Sequence, residues 1–300
     1  MIPYAKDPVQ LIHSGGLTIP SFVPENYPDA DEKTLASFGD EWKKFATINE
    51  NELQAAFDEY FDIVPADVIG KTTSILDIGC GSGRWTKILS QKAGTIHAVD
   101  PGPAVEVAAQ QLKDFKNVFV AQAGFGCLPF PENSFDFVLC LGVAHHLPDP
   151  QKAIGEMMKM LKKNGRLLLY MYYDLSERGF FYRFLFKISR LLNRIISPMP
   201  KSLKLFFSDL LAIFTAGPFV LFAKLMNGIF PSASWRKKMP FAYYANKSWK
   251  IVRNDSLDRF GTPLMKRFSK NEITMMLQKE GFSEIHFSDH APYWHVTALK

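Results

Sequence analysis

Cysteine is scarce in this chain: three in 300 residues (Cys80, Cys127 and Cys140), with no paired spacing. That excludes a disulfide framework and leaves buried thiols in a reducing compartment. Long apolar runs are missing too. The longest uncharged one, Leu210 to Ala223, holds 14 residues and contains Gly217-Pro218, short of the roughly 20 that a spanning helix needs. The opening MIPYAKDPVQLIHSGG lacks a charged-then-apolar leader pattern, so a cytoplasmic protein is expected. Metal ligands at useful spacing are absent: His145 and His146 are neighbours on one backbone with no third partner, and His286, His290 and His295 read as strand and turn residues. No internal repeat and no nucleic-acid reader module occurs, so a nucleic-acid partner is not expected. The net charge, +5, is modest.

What is there is alternation. Residues 1 to about 28, rich in Pro and Gly without a period, read as an irregular arm, and helical patterns run from Asp29 to Val64. From Ser74, short apolar strands and amphipathic helices take turns. SILDI is followed by the glycine loop Gly79, Gly81, Gly83, then TIHAVD, a helix, NVFVAQ and SFDFVLCLG. Asp149-Pro150 caps the helix QKAIGEMMKMLKK, Asn164-Gly165 ends it, and RLLLYMYY is a fifth strand. Such alternation predicts a doubly wound α/β fold whose ligands sit at the carboxyl ends of the strands. The pattern breaks over residues 174–268, then resumes with Ser269 and Glu272 at capping-box spacing and two last strands. The expected organisation is therefore 1–70 as an N-terminal arm and helices covering a site, 71–173 with 269–300 as the core domain, and 174–268 as an inserted helical cap.

The glycine loop fits neither of two common phosphate-binding patterns. A P-loop needs Lys-Ser/Thr after its last glycine, where Arg84-Trp85 stands, and a dinucleotide fingerprint needs its third glycine at position 84. LDIGCGSGRWT instead resembles the first motif of class I S-adenosylmethionine-dependent methyltransferases, HAVDPGPAVEVAAQ their second, and residues 128–173 the segment through their fifth strand. The resemblance covers roughly 35–173 and 268–300. It implies a seven-stranded Rossmann-like sheet, mostly parallel with an antiparallel final strand, and S-adenosylmethionine as cofactor. Carried over by position, Asp77, Gly79, Cys80, Gly81 and Gly83 would surround the amino-acid end, and Asp100 with Pro101 would take the ribose. Leu141 and Gly142 would line the methionine side. The family often has an aspartate for the adenine amino group where this chain has Gly124, so that contact would come from Gln122 or the backbone, with Phe125 beside the ring.

His146, Tyr172 and Asp174, after strand ends, are candidate proton acceptors, and Trp42, Arg259 and Arg267 candidate substrate contacts. In the insertion, Phe181, Phe184, Leu185, Ile188, Leu191, Leu192, Ile195 and Ile196 recur at helical spacing, opposite Arg183, Lys187, Arg190 and Arg194. A basic amphipathic helix suits an anionic membrane surface, so a peripheral protein at the inner membrane face is one expectation and a soluble cap the other. The expected activity is methyl transfer to an apolar or lipid-linked acceptor. The alternatives are a soluble enzyme acting on a small polar metabolite or sugar, and an inactive cofactor-binding partner protein.

Overall fold

The computed structural model describes residues 2–27, 50–174, 180–218, 220–222, 225, 248–262, 266–290, 292 and 294–300. Nine strands make one mixed sheet: β1 (Gln10–Ser14), β2 (Leu17–Ser21), β3 (Ser74–Ile78), β4 (Thr95–Asp100), β5 (Val118–Gln122), β6 (Phe135–Leu141), β7 (Leu161–Tyr170), β8 (Ser283–Phe287) and β9 (His295–Leu299). Their order is β1-β2-β5-β4-β3-β6-β7-β9-β8. From β5 to β7 all neighbours are parallel, and β9 runs antiparallel to both β7 and β8. Strand order reverses between β3 and β6, which opens a crevice above their carboxyl ends.

The helices described are α1 (Glu50–Tyr60), α2 (Arg84–Leu89), α3 (Ala104–Leu112), α4 (Pro150–Met160), α5 (Phe180–Ile196), α6 (Lys201–Leu211), α7 (Trp249–Gly261) and α8 (Lys270–Lys279). Adjacent residues of β3 feed opposite faces of the sheet. Leu76 and Ile78 pack with Val138, Ile154 and Leu277, whereas Ile75 packs with Phe57, Trp85, Leu139 and Leu168. Side chains alternate across a strand, so a strand covered on both sides must be apolar throughout. The caps are as the sequence indicates. Asp149 accepts from Lys152 N, and Ser269 and Glu272 close a reciprocal capping box.

Two expectations fail. The sheet has nine strands, not seven, because the supposed irregular arm contains the β1–β2 hairpin. Gly15 and Gly16 hold φ of +55° and +78°, the two successive left-handed residues of a type I′ turn. Ser21 then joins the hairpin to the core sheet, pairing with Gln122 and donating from Oγ to its Oε1 at 2.6 Å. Also, α4 stops at Met160, and the chain pairs with β6 from Leu161 onward. Asn164, at φ +63°, makes a bulge inside β7 across which the register jumps from Phe135↔Leu161 to Phe137↔Arg166.

The chain divides into two compact units, residues 1–174 with 264–300, and residues 175–263. The described part of the second is mainly helical. Ile196, Ala212, Val220, Val252, Leu257 and Phe260 form its interior. Arg253 grips Asp209 between α7 and α6 with two hydrogen bonds, and Asn193 Nδ2 donates to the carbonyls of Arg259 and Thr262 at 3.1 and 3.0 Å. Among the described residues, no helix is long and apolar enough to cross a membrane.

Candidate active site

The ends of β3 and β4 converge on the glycine loop. The Gly79 and Cys80 N–H groups donate to the Val99 carbonyl at 2.8 and 3.0 Å, tying the loop to the neighbouring strand. Gly79 takes φ +75°, and a side chain there would collide with Val143, so this position accepts only glycine. Gly83, at φ +81°, begins the turn into α2. Asp100 spans the two loops: Oδ2 accepts from Gly81 N at 3.0 Å and Oδ1 from Gly102 N at 2.8 Å. Asp77 is buried and accepts from Thr86 Oγ1 at 2.6 Å.

Both carboxyls are unusually weak acids. Burial pushes Asp77 up to about 7 against the Thr86 hydrogen bond, with the Asp100 charge adding to the rise. Burial likewise raises Asp100 to about 6, opposed by the two backbone N–H groups. Two carboxyls held above their ordinary range at one loop make a site that welcomes a cation, whose arrival would restore ionisation. Cys80 is buried beside them, its thiol pushed well above its usual value by burial and then by Asp77 and Asp100.

After β5, the arm supplies what composition did not. A side chain at Gly124 would collide with the Tyr27 hydroxyl, which donates to the Phe125 carbonyl at 2.8 Å. Phe125 itself is packed in the core with Phe22 and Ala123. Both ends of the Gln122 amide are engaged, by Ser21 and by the Pro101 carbonyl. An aspartate has no room at position 124, and Tyr27 is the polar group standing there instead.

Beyond Leu141 and Gly142, whose N–H donates to the Tyr170 carbonyl, residues Ala144–His146 form a 3₁₀ turn. His145, fully buried, stacks on Tyr172 with ring centroids 4.0 Å apart and touches the His146 ring at the same distance. Among the described residues, neither ring nitrogen of His145 has a hydrogen-bond partner. Burial, reinforced by His146 and Arg267, holds its pKa well below the usual value, so the ring is neutral. The Arg267 guanidinium lies 5.5 Å over Tyr172, and Tyr170 and Tyr60 extend the aromatic wall edge to face.

The structure thus brings His146, Tyr172 and Arg267 together. Asp174 is tied through its backbone to Phe268 at the edge of this unit, Arg259 belongs to the helical unit, and Trp42 lies outside the described residues. Sequence reasoning missed His145, Tyr27, Tyr60 and Tyr170. Tyr170 had a signal, since it stands two residues before Tyr172 in an extended run, and the two rings meet at 5.6 Å. That both adjacent histidines are buried, with His145 stacked on Tyr172, had none, being set by the 3₁₀ turn.

Residues 76–169 match the family described as methyltransferase domain. The chain is 39% identical over 102 residues to YcgJ, an uncharacterized methyltransferase of Bacillus subtilis, covering 33% of this chain and 40% of that protein. It is 35% identical over 97 residues to a ubiquinone biosynthesis O-methyltransferase of Pseudomonas fluorescens, covering 31% and 41%. The chain therefore spans about two fifths of the length of these curated relatives. Among solved structures, a proposed O-methyltransferase of Nostoc punctiforme aligns over 88% of this chain and 60% of that one, with a TM-score of 0.50 and 14% identity, a likeness of fold.

Proposed function

We propose that the protein, whose residues 76–169 match a methyltransferase domain, is a class I S-adenosylmethionine-dependent enzyme that transfers the cofactor's methyl group to an apolar or lipid-linked acceptor. The pair of strand-end carboxyls around the glycine loop supports this most. Asp100 keeps a free lone pair on each oxygen after accepting from Gly81 and Gly102, so it can also accept from both hydroxyls of a ribose. Asp77, raised to about 7 by burial, suits an ammonium group, which favours the ionised carboxyl. A pyrophosphate beside Asp77 would instead meet like charge, which disfavours a nicotinamide dinucleotide.

S-adenosylmethionine, when bound, supplies a methyl group already activated by a positive sulfur. The chain's own task is then to align the acceptor and exclude water, which can contribute about 7–11 kcal/mol. The wall of Tyr60, Tyr170, Tyr172 and His145 suits a flat or unsaturated apolar acceptor, and a relative named for ubiquinone biosynthesis supports that class. His145, neutral and with both nitrogens unpartnered among the described residues, is held by His146 and Tyr172 and would take a hydrogen bond from an acceptor hydroxyl once acceptor binding opens the cover that buries it. Calorimetric titration with S-adenosylhomocysteine and with NADH tests the cofactor assignment. Binding of the first alone is expected, and tighter binding of NADH overturns it.

A further inference from the structure

We propose that the outward face of the helical unit docks on an anionic lipid bilayer, with the apolar stripe of α5 (Phe180–Ile196) entering the headgroup boundary. At about 100° per residue, Phe180, Phe184, Ile188, Leu191 and Ile195 fall within an arc of about 80°, and all five are exposed. Ile196, on the far side, is buried. The apolar face expected from the sequence is therefore split. Ile196 lies inside, and these five are exposed, where a helix of a closed core would carry polar residues.

The exposed apolar surface continues beyond α5. Leu203 and Phe206 on α6, then Ile213 and Phe214 in the π-helical turn Ala212–Ala216, are also exposed, Phe214 at 70%. Large apolar side chains exposed in this number within one small unit mark an interaction site. Its charge selects the occupant. Lys187, Arg190 and Arg194 are exposed in the arc directly beside the α5 stripe, and α5 has no acidic residue. Asp209, the one acidic residue of α6, is already held by Arg253. An apolar arc flanked by cations fits an anionic membrane interface, where the rings enter the acyl boundary and the cations meet the headgroups. A second copy of this chain fits worse, because a symmetric pairing of α5 on α5 would bring two basic arcs together. The face lies within residues 175–263 and draws on no part of the cofactor site.

Sedimentation of the full chain with vesicles tests this, using phosphatidylcholine alone and an equal mixture with phosphatidylglycerol. Wild type should pellet with the anionic vesicles and stay in solution with the neutral ones. Exchanging Lys187, Arg190 and Arg194 together for glutamine should weaken binding by about a hundredfold, at about one kcal/mol for each cation. Phe184→Asp with Leu191→Asp should abolish it, while circular dichroism and S-adenosylhomocysteine affinity stay at wild-type values, the substituted side chains being exposed. Wild-type protein left in solution with anionic vesicles overturns the proposal, as does binding unchanged by either set. A wild-type dimer in light scattering that the aspartate pair converts to monomer, without vesicle binding, assigns the face to self-association and equally overturns it. Because titration with S-adenosylhomocysteine is read separately, failure here leaves the cofactor assignment standing, and the reverse also holds.

Discussion

The two units treat apolar side chains in opposite ways. Among the described residues, sixteen large apolar side chains are exposed, and thirteen belong to the helical unit although it is the smaller of the two. The sheet unit leaves only Val9, Leu11 and Met275 outside and buries Ile75, Leu76, Ile78, Phe135, Phe137 and Leu139 almost completely. Burial of that kind specifies one packing, because every strand residue has a partner on its own face. The helical unit pairs polar groups through Arg253–Asp209 and the Asn193 clamp, yet leaves those thirteen large apolar side chains exposed. One unit encloses nearly all its described large apolar side chains, and the other carries the exposed face proposed above to dock on a bilayer.

The largest expected break in this contrast comes at the site. Asp100→Ala should abolish S-adenosylhomocysteine binding in calorimetry while leaving vesicle sedimentation intact, since the residue serves only the sheet unit. Paired core and face substitutions come next. Leu139→Ala, in the centre of β6, should cost about 2–5 kcal/mol in denaturant unfolding, whereas Leu191→Ala on α5 should stay within about 0.5 kcal/mol. Equal costs would mean that α5 is packed like a core helix. His145→Phe keeps a ring against Tyr172 but removes both nitrogens. Turnover should fall at least about a hundredfold, the range of a positioned proton-transfer group, with cofactor affinity unchanged.

The most gradual effect is the dependence on pH. Asp77 is raised from its ordinary 3.8 to about 7, so between those values the folded state holds a proton that the unfolded chain has lost. Stability of the unliganded protein should therefore decline as pH rises through this window. Affinity for a ligand carrying an ammonium group should move oppositely, rising as Asp77 ionises. Thermal midpoints and S-adenosylhomocysteine titrations across the window should show both trends, and Asp77→Asn should reduce both, leaving the part that Asp100, raised to about 6, contributes.

Much of the sheet unit is legible in the sequence because its signals are local. The apolar runs Ser74–Ile78 and Phe135–Leu141, the Asp149-Pro150 start and the Ser269–Glu272 box each name an element. The same holds for Asp100, which ends a strand beside the switch point. The β1–β2 hairpin had a signal as well, Gly15-Gly16 between two short apolar stretches, which the surrounding Pro and Gly obscured. The end of α4 did not follow its turn signal, since Asn164-Gly165 serves a bulge within β7. Tyr27 at Gly124 and His145 against Tyr172 depend on contacts between distant segments, which no spacing encodes. In α5 the period gave the helix and its apolar side, but how much of that side a neighbour covers is a tertiary fact.

The most direct measurement supplies radiolabelled methyl donor to the purified protein with a whole-cell extract, then separates organic from aqueous phases. Protein-dependent label in the organic phase is predicted, and it should disappear with Asp100→Ala. Label confined to the aqueous phase would contradict an apolar acceptor, and no protein-dependent label in either phase would contradict methyl transfer itself.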